Sequence, residues 1–351
     1  MVNQKYAVAL VGFGGMGHWH SEILRDFDNI FLYSVFDTDP DKMKEAAEKG
    51  YHCYSSFEEV IADKNVDIVL LAVPNDWHKP YAIQALEAGK NVVCEKPVTL
   101  DSAELEMIID TANRTGKLFT VHQNRRWDED YLTVKKICED GLLGDVFSIE
   151  SRVHGSRGIP GDWRGHKPQG GGMMLDWGVH IIDQALQMIP QKVTSVYAKM
   201  HHITNYEVDD GFRMIITFES GLTYLLEVGT SNFINLPRWY VQGENGTAVL
   251  DDFCSDARIV NIENWDNRDA VPVKTAAGLT KTMAPRTDET IRSSTLPHLH
   301  ADIHDFYKNV TAVLDGQEQI IVRHDELLRV MRLMEAAFRS DALGQVVPFE
   351  K

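Results

Sequence analysis

Three glycines near the amino terminus constrain the fold of this chain more than any other feature. The apolar run Tyr6–Val11 is followed by Gly12, Gly14 and Gly17, with the spacing G-x-G-x-x-G. The run is too short to cross a membrane, and its composition is typical of a strand buried on both faces. We expect Gly12 to permit a tight turn, Gly14 to let a pyrophosphate approach the backbone, and Gly17 to let the next helix pack closely on the sheet.

A carboxylate after the second apolar run supports this interpretation. The helix-like segment His18–Phe27 and the apolar run Ile30–Phe36 lead to Asp37. A carboxylate at this position accepts hydrogen bonds from the adenosine ribose and repels a 2′-phosphate. The next residue is Thr38 rather than an arginine that would bind such a phosphate. The pattern therefore predicts NAD as the cofactor and disfavours NADP, and a strand–turn–helix with an incidental aspartate is the alternative.

The bulk composition excludes several classes of partner. With 351 residues the chain has room for about two domains, and its 44% apolar and 25% charged residues are typical of a globular protein. A net charge of −17 argues against a nucleic-acid or anionic-membrane partner, and no segment has the pattern of a membrane span or a signal peptide. Four cysteines without C-x-x-C spacing indicate reduced thiols, so we expect a cytoplasmic protein.

The pattern of strands and helices changes along the chain. Strand and helix alternate at short spacing through residues 1–122, which predicts an α/β domain with a parallel sheet covered on both faces. Residues 123–351 contain several strands joined by hairpin-type turns, which indicates an α+β domain with a largely antiparallel sheet. The segment 264–297 is predicted to be a long loop, followed by helices at 298–314 and 325–340.

Lys96 is the first candidate for chemistry. It follows a predicted strand, Asn91–Glu95, at the carboxyl edge of the sheet, and Pro97 stiffens the turn. A partly desolvated lysine at this edge could donate a hydrogen bond to a substrate hydroxyl and stabilise charge on its oxygen. A lysine paired with Glu95 or with another carboxylate is the alternative.

A second candidate follows three consecutive glycines. Gly170–Gly172 precede a predicted helix, 173–188, that carries Asp176 and His180 four residues apart on one face. A histidine beside a carboxylate can accept a proton near neutral pH, with the acid orienting the ring. The alternative is a histidine satisfied within the core, but the glycines and Asp176 favour the catalytic interpretation.

Taken together, these motifs resemble the Gfo/Idh/MocA oxidoreductases, a family named for glucose–fructose oxidoreductase and inositol dehydrogenase. The resemblance rests on the order and separation of the glycine motif, Glu95-Lys96-Pro97 and the triple glycine with Asp176 and His180, and it covers essentially the whole chain. It implies an N-terminal Rossmann domain and a C-terminal domain with an open, mostly antiparallel sheet that commonly forms the oligomer contact, here a homodimer or homotetramer. It also implies that Lys96 contacts the reacting hydroxyl, that His180 is the general base and that Asp176 is its companion.

Further site residues are predicted from their places at strand ends and in loops. Cofactor contacts are predicted for Gly12, Phe13, Gly14, Gly15, Met16, Gly17, Asp37, Thr38, Pro74, Asn75, His78, Glu95, Lys96 and Asn124. Substrate contacts are predicted for Lys96, Asn124, Arg152, Trp163, Arg164, Asp176 and His180. Aromatic faces and fork-shaped donors suit a polyol, whereas ion pairs within an acidic protein are the alternative for the arginines.

Three late histidines raise the question of a metal. His300 and His304 are predicted to share a helix face, with His298 nearby. No cysteine or carboxylate stands near them at the spacing of a closed metal site, and hydride transfer needs no metal. No metal site is therefore predicted.

The family resemblance implies the substrate class and leaves three functions open. The leading hypothesis is an NAD-dependent dehydrogenase that acts on a secondary hydroxyl or ketone of a sugar, glycoside or inositol. The second is glycoside cleavage by oxidation and elimination, in which NAD is regenerated within the cycle. The third is a dinucleotide-sensing regulator without catalysis, which the presence of both Lys96 and His180 disfavours.

Overall fold

The computed structural model describes residues 6–349, and its first part is a six-stranded parallel sheet. The strands are β1 Tyr6–Val11, β2 Ile30–Phe36, β3 His52–Cys53, β4 Ile68–Leu71, β5 Asn91–Cys94 and β6 Phe119–Val121. Their order in the sheet is β3-β2-β1-β4-β5-β6. The helices between them are α1 Gly15–Ile23, α2 Pro40–Glu48, α3 Phe57–Ala62, α4 His78–Glu87 and α5 Ser102–Thr115. The predicted Rossmann-type domain is confirmed.

Burial and capping explain these elements. Every residue of β1 and of β4 is buried, as expected for strands covered by helices on both faces. Side-chain oxygens of Asp39, Ser56 and Asp101 accept backbone N–H groups at the starts of α2, α3 and α5, where the first turn has no partner of its own. Gly116, in the left-handed region, ends α5.

The register brings distant residues to one edge of this sheet. Val11 at the end of β1 pairs with Phe36 of β2 and with Leu71 of β4. Cys94 at the end of β5 pairs with Leu71 and with Val121. The residues that follow these strands therefore meet along the carboxyl edge, where ligands of such sheets bind.

A second sheet of nine strands forms most of the C-terminal half. Its strands are β7 Val146–His154, β8 Val193–His201, β9 Gly211–Phe218, β10 Thr223–Gly229, β11 Trp239–Gly243, β12 Gly246–Leu250, β13 Ala257–Ile262, β16 Ile291–Leu296 and β17 Val347–Pro348. The order is β16-β13-β12-β11-β7-β10-β9-β8-β17, and within it only β7 and β10 pair in parallel. A small hairpin, β14 Val273–Thr275 and β15 Gly278–Thr280, stands apart. The mostly antiparallel prediction is confirmed.

One face of the nine-stranded sheet is packed and the other is open. Along β9, Phe212, Met214 and Ile216 are buried, whereas Arg213 and Ile215 between them are exposed. Helices α6 Glu129–Glu139, α7 Val179–Met188, α8 Asp305–Leu314 and α9 His324–Leu343 complete this half. Within the described residues, no helix is both long enough and apolar enough to cross a bilayer.

Three predicted elements were wrong in detail. The predicted loop at 264–297 contains the strand β16, whose exposed polar side chains hide the strand pattern. The helix predicted from residue 298 begins only at Asp305. The predicted helix at 173–188 opens with a π-helical turn, Met174–Gly178, before α7.

The two halves of the chain are in contact. The Tyr6 hydroxyl of β1 donates a hydrogen bond to Asp315, the residue that follows α8 (2.7 Å). The division of the chain into two domains at residue 122 stays a prediction.

Candidate active site

The glycine loop has tight packing behind it and open space in front. A Cβ on Gly12, whose φ is +95°, would lie 2.4 Å from the carbonyl oxygen of Ala72, and one on Gly17 would lie 2.2 Å from the carbonyl oxygen of Gly12. By contrast, a Cβ on Gly14 or Gly15 would meet no atom within 4 Å. The loop therefore keeps an open cradle next to the first N–H groups of α1, which fits the pyrophosphate of a dinucleotide.

Asp37 is tied to the glycine loop. Its Oδ2 accepts a hydrogen bond from the backbone N–H of Phe13 (2.6 Å), and its Oδ1 accepts one from Asp39 (2.9 Å). Asp37 is half-buried and Thr38 is exposed. The carboxylate is thus held at the end of β2, beside the cradle. Phe13 itself is fully buried, and its ring packs against His18.

Lys96, Asp176 and Arg164 meet between the two halves. The Lys96 ammonium donates to Oδ1 and to the backbone oxygen of Asp176, both at 3.0 Å, and Arg164 Nε donates to Oδ2 at 3.2 Å. Burial alone would raise the pKa of Asp176, but the two positive charges outweigh it and lower the pKa. The lysine is therefore paired with a carboxylate, as the alternative interpretation held, but that carboxylate is itself a predicted site residue.

His180 is buried, and one of its ring nitrogens is left unpartnered by the described residues. Within residues 6–349, Nδ1 of His180 has no hydrogen-bond partner. The side chain of Asp176 makes no hydrogen bond to this ring, since it bonds to Lys96 and Arg164 instead. The expected ring-orienting bond is thus absent, because both oxygens of Asp176 are taken by cations. Burial, and then the charges of Lys96 and Arg125, hold the pKa of His180 well below its usual value. The ring is therefore neutral and can accept a proton.

The three glycines bring the loop before α7 against its neighbours. A Cβ on Gly170 would lie 2.5 Å from Leu100, one on Gly171 would lie 2.3 Å from the Arg164 carbonyl oxygen, and one on Gly172 would lie 2.3 Å from Asp209. The Asn75 side chain donates to the Gly170 carbonyl oxygen (2.9 Å) across the two domains. The glycines thus permit a contact that any side chain would block.

Asp209 holds the start of the turn that carries Asp176. Its Oδ2 accepts the N–H of Met174 (2.7 Å), and its backbone oxygen accepts that of Met173 (2.9 Å). Burial raises the pKa of Asp209 to about 6, and the Met174 hydrogen bond offsets only part of that effect. No local pattern in the sequence connects Asp209 to Met174, because the two lie 35 positions apart.

A buried hydrogen-bond network supports the Lys96 turn. Glu95 Oε1 is 2.9 Å from His20 Nε2 and 2.8 Å from His122 Nδ1, and Oε2 accepts the Lys96 backbone N–H (3.1 Å). The Tyr307 hydroxyl of α8 lies 2.6 Å from His20 Nδ1. Burial would raise the pKa of Glu95, but His122 and His20 lower it well below its usual value, so the carboxylate is ionised and both rings donate to it. Glu95 therefore supports the turn from behind, and within this network His122 Nε2 is left without a partner.

Two other buried polar atoms beside this edge also have no partner within the described part of the chain. They are the Asn124 Oδ1 and the Gln123 Oε1, on the segment that follows β6. Buried polar groups in folded proteins are usually hydrogen-bonded, so these atoms are suited to a ligand. The guanidinium carbon of Arg125 lies 4.1 Å from the centre of the Trp177 ring, and that of Arg164 lies 4.5 Å from the centre of the Trp163 ring. Aromatic side chains thus accompany the charged groups of the site.

Two predicted site residues use their polar side-chain atoms within the protein. Arg152 pairs with Glu150 and Glu227 on the open face of the nine-stranded sheet. The neighbouring Ser151 faces the packed side, so strand alternation turns Arg152 towards the open face. The structure does not bring Arg152 together with Lys96 and Asp176, and its substrate contact stays a prediction. His78 uses Nδ1 and Nε2 against the carbonyl oxygens of Pro97 (2.9 Å) and Val73 (3.0 Å), which leaves no ring nitrogen for a cofactor.

Comparison with known proteins decides the family. Residues 6–123 match the model of the oxidoreductase family with an NAD-binding Rossmann fold, and residues 131–249 match the GFO/IDH/MocA C-terminal domain. The chain belongs to the Gfo/Idh/MocA oxidoreductase family. The resemblance based on the three motifs is thus confirmed.

Several similar proteins align over much of the chain. The crystal structure of an NAD-binding protein from Listeria innocua is 47% identical, with a TM-score of 0.96 over 99% of this chain and 100% of that one. A scyllo-inositol 2-dehydrogenase (NADP(+)) from Bacillus subtilis is 26% identical over 98% of this chain and 96% of its own length. A myo-inositol 2-dehydrogenase from Thermotoga maritima is 28% identical over 61% of this chain and 65% of its own.

Proposed function

We propose that this oxidoreductase is an NAD-dependent dehydrogenase of a secondary hydroxyl group on an inositol, a sugar or a glycoside. The observation that carries the proposal is the contact of Lys96 with Asp176, four residues before the unpartnered His180, at the sheet edge that also carries the glycine loop. Two relatives named as inositol dehydrogenases support the substrate class.

The residues divide the chemistry between the two halves. His180 accepts the hydroxyl proton, and the Lys96 ammonium donates a hydrogen bond to the same oxygen and stabilises its negative charge. Asp176 holds the lysine in place and balances its charge. When bound, the nicotinamide supplies the hydride acceptor. The Gly14–Gly15 backbone would hold its pyrophosphate, and Asn124 and Gln123 would line its nicotinamide end.

Asp37 favours NAD over NADP in this proposal. A 2′-phosphate at the end of β2 would face the Asp37 carboxylate, with Thr38 rather than an arginine beside it. The Listeria innocua protein is named for NAD binding, whereas the Bacillus subtilis relative is named for NADP(+). The relative efficiencies with the two cofactors decide between them.

The deciding experiment is a screen of inositols, sugars and glycosides with NAD and with NADP, followed by nicotinamide absorbance and by NMR of the product. The proposal expects net formation of reduced cofactor with at least one polyol. Substrate cleavage without net reduction would identify the oxidation–elimination reaction instead. Cofactor binding without any turnover would identify the non-catalytic regulator.

We also propose that the chain assembles through its larger sheet. The open face of the nine-stranded sheet exposes apolar residues such as Ile215, Tyr197 and Val260, and a second copy of the chain would cover them. Light scattering should then give a dimer or a tetramer, and an Ile215→Glu variant should shift it towards the monomer. The cytoplasmic location stays a prediction.

A further inference from the structure

A cluster of two histidines and a carboxylate lies outside the active site. His298 and His300 follow β16, and Glu129 begins α6. Glu129 Oε1 lies 3.3 Å from His300 Nδ1, and Glu129 Oε2 lies 3.5 Å from His298 Nε2. Ligand atoms of the three side chains all lie within 4.8 Å of one another. The fold thus supplies the carboxylate that the sequence around these histidines lacks.

The spacing suits zinc. A tetrahedral zinc ion with bonds of about 2.0–2.1 Å to nitrogen and oxygen separates neighbouring ligand atoms by roughly 3.3–3.4 Å. Each imidazole–carboxylate distance, one to each Glu129 oxygen, is close to this value before any ion is added. Two imidazoles and a carboxylate are also a donor set that zinc accepts, with a water molecule in the remaining position. His300 has 87% of its side chain exposed, so water can reach that position.

A second carboxylate lies behind the cluster. Asp256 Oδ1 is 3.2 Å from Nδ1 of His298, the ring nitrogen that faces away from Glu129. A carboxylate on the far nitrogen fixes the tautomer and orientation of a metal-binding histidine. We propose that Glu129, His298 and His300 bind one zinc ion, and that Asp256 orients His298.

The site would anchor the segment that leads into α8. Backbone N–H groups of Leu299 and Ala301 already donate to Thr133 (2.8 Å) and to Glu129 (3.3 Å) on α6. Four residues later α8 begins, and its Tyr307 reaches the His20 ring. Zinc would join α6 to this segment and stabilise the folded chain, because an ion that binds only the folded state shifts the equilibrium towards it.

His304 provides a matched control. Its ring also contacts two carboxylates, Asp26 through Nε2 (3.0 Å) and Asp302 through Nδ1 (2.5 Å). These carboxylates lie on opposite sides of the ring, so their ligand atoms do not converge on one point. A His304→Ala variant removes a neighbouring histidine–carboxylate pair without touching the proposed site.

The test is a zinc titration of the full chain after treatment with a chelator. A Cys254→Ser background removes an exposed thiol, a group of a type that zinc also accepts as a ligand. Calorimetry should give one equivalent of zinc, and cobalt should give the absorption of a tetrahedral site. We expect at least a tenfold loss of affinity in His298→Ala, His300→Ala and Glu129→Gln, about a tenfold loss in Asp256→Asn, and no change in His304→Ala.

Zinc should also raise the melting temperature of the parent but not that of a His298→Ala/His300→Ala double variant. Circular dichroism of each variant in chelator checks that it folds. The proposal is overturned if the parent binds no stoichiometric zinc, if the double variant binds it equally well, or if only His304→Ala loses it. None of these results bears on the dehydrogenase proposal, because the cluster lies outside that site.

Discussion

His122 and His180 are both buried histidines that come to the crevice from different halves of the molecule, and their surroundings differ. His122 donates to Glu95, which is also bound by His20 and by the Lys96 backbone. Within residues 6–349 the His180 ring has no carboxylate partner, and burial, followed by the charges of Lys96 and Arg125, lowers its pKa. The Rossmann half therefore ties His122 to Glu95 and leaves only Nε2 of that ring without a partner, whereas the C-terminal half leaves the His180 ring without a carboxylate and available for a ligand.

The sharpest test of this difference is removal of the unpartnered ring. A His180→Ala variant should lose about 10²–10⁴-fold in turnover, since it removes the proposed proton acceptor, while the dissociation constant for NAD changes less than about twofold. Steady-state kinetics and a fluorescence titration measure the two. His52→Ala, at an exposed histidine of β3, is the control. A loss of less than tenfold would contradict the role of His180.

The opposite half is tested by weakening its support. A Glu95→Gln variant should lower the free energy of unfolding by about 2–4 kcal/mol, because a side-chain amide cannot accept from all three donors and adds a buried donor of its own. Urea unfolding measures the change. Glu87→Gln at an exposed pair with Arg114 should cost less than about 0.5 kcal/mol. Equal losses of unfolding free energy in the two variants would show that the buried network stabilises the fold no more than an exposed ion pair does.

The C-terminal half should carry a pH signature of its own. The pKa of Asp209 is raised by burial to about 6, above its usual 3.8, so its protonated form is favoured in the folded state. This carboxyl should therefore contribute stability that is complete below about pH 4 and is lost as the pH rises through about 6, a change on the order of 2–3 kcal/mol.

An Asp209→Asn variant should remove that contribution and keep an acceptor for Met174. Urea unfolding between about pH 4 and pH 8 gives the difference between the two proteins at each pH. Parallel stability curves for the variant and the parent would show that Asp209 does not titrate in this range.

The smallest expected effect concerns the cofactor end of the Rossmann half. An Asp37→Asn variant keeps an oxygen for the Phe13 N–H but removes the charge that a 2′-phosphate would face. The ratio of kcat/KM for NAD to that for NADP should fall by about tenfold. Asp110→Asn, at an exposed position of α5, should leave the ratio unchanged. If NADP is already preferred by the parent, Asp37 does not set the choice.

Most of the fold was predictable because its signals are local. The run Tyr6–Val11, the three glycines and Asp37 follow one another within a single βαβ unit, so their spacing indicates the fold directly. Helix caps such as Ser56 and Asp101 are also local. The strand β16 was missed because its side chains are mostly exposed, so it lacks the alternation of buried and exposed residues that marks its neighbours.

The candidate site was predictable only in part. Lys96, Asp176 and His180 lie in local motifs, and the structure brings Lys96 and Asp176 into contact. The partner of each group could not be read from spacing, since the π-helical turn and the pairing of Asp176 with Arg164 replace the expected bond to His180. The ion pairs of Arg152 with Glu150 and Glu227 could not be predicted for a similar reason, because the face of a strand is set by its register.

Local sequence patterns alone were enough to predict the two-part architecture, the glycine cradle and the carboxylate at the end of β2. The same patterns were enough to indicate the family. Only the tertiary structure decided which side chains meet. His20 and Tyr307 stand 287 residues apart, and Glu129 and His300 stand 171 apart, yet both pairs are within hydrogen-bonding range. Contacts between residues so far apart along the chain exist only once both sheets have formed and packed. No local sequence pattern predicts them, because such a pattern spans only a few neighbouring residues.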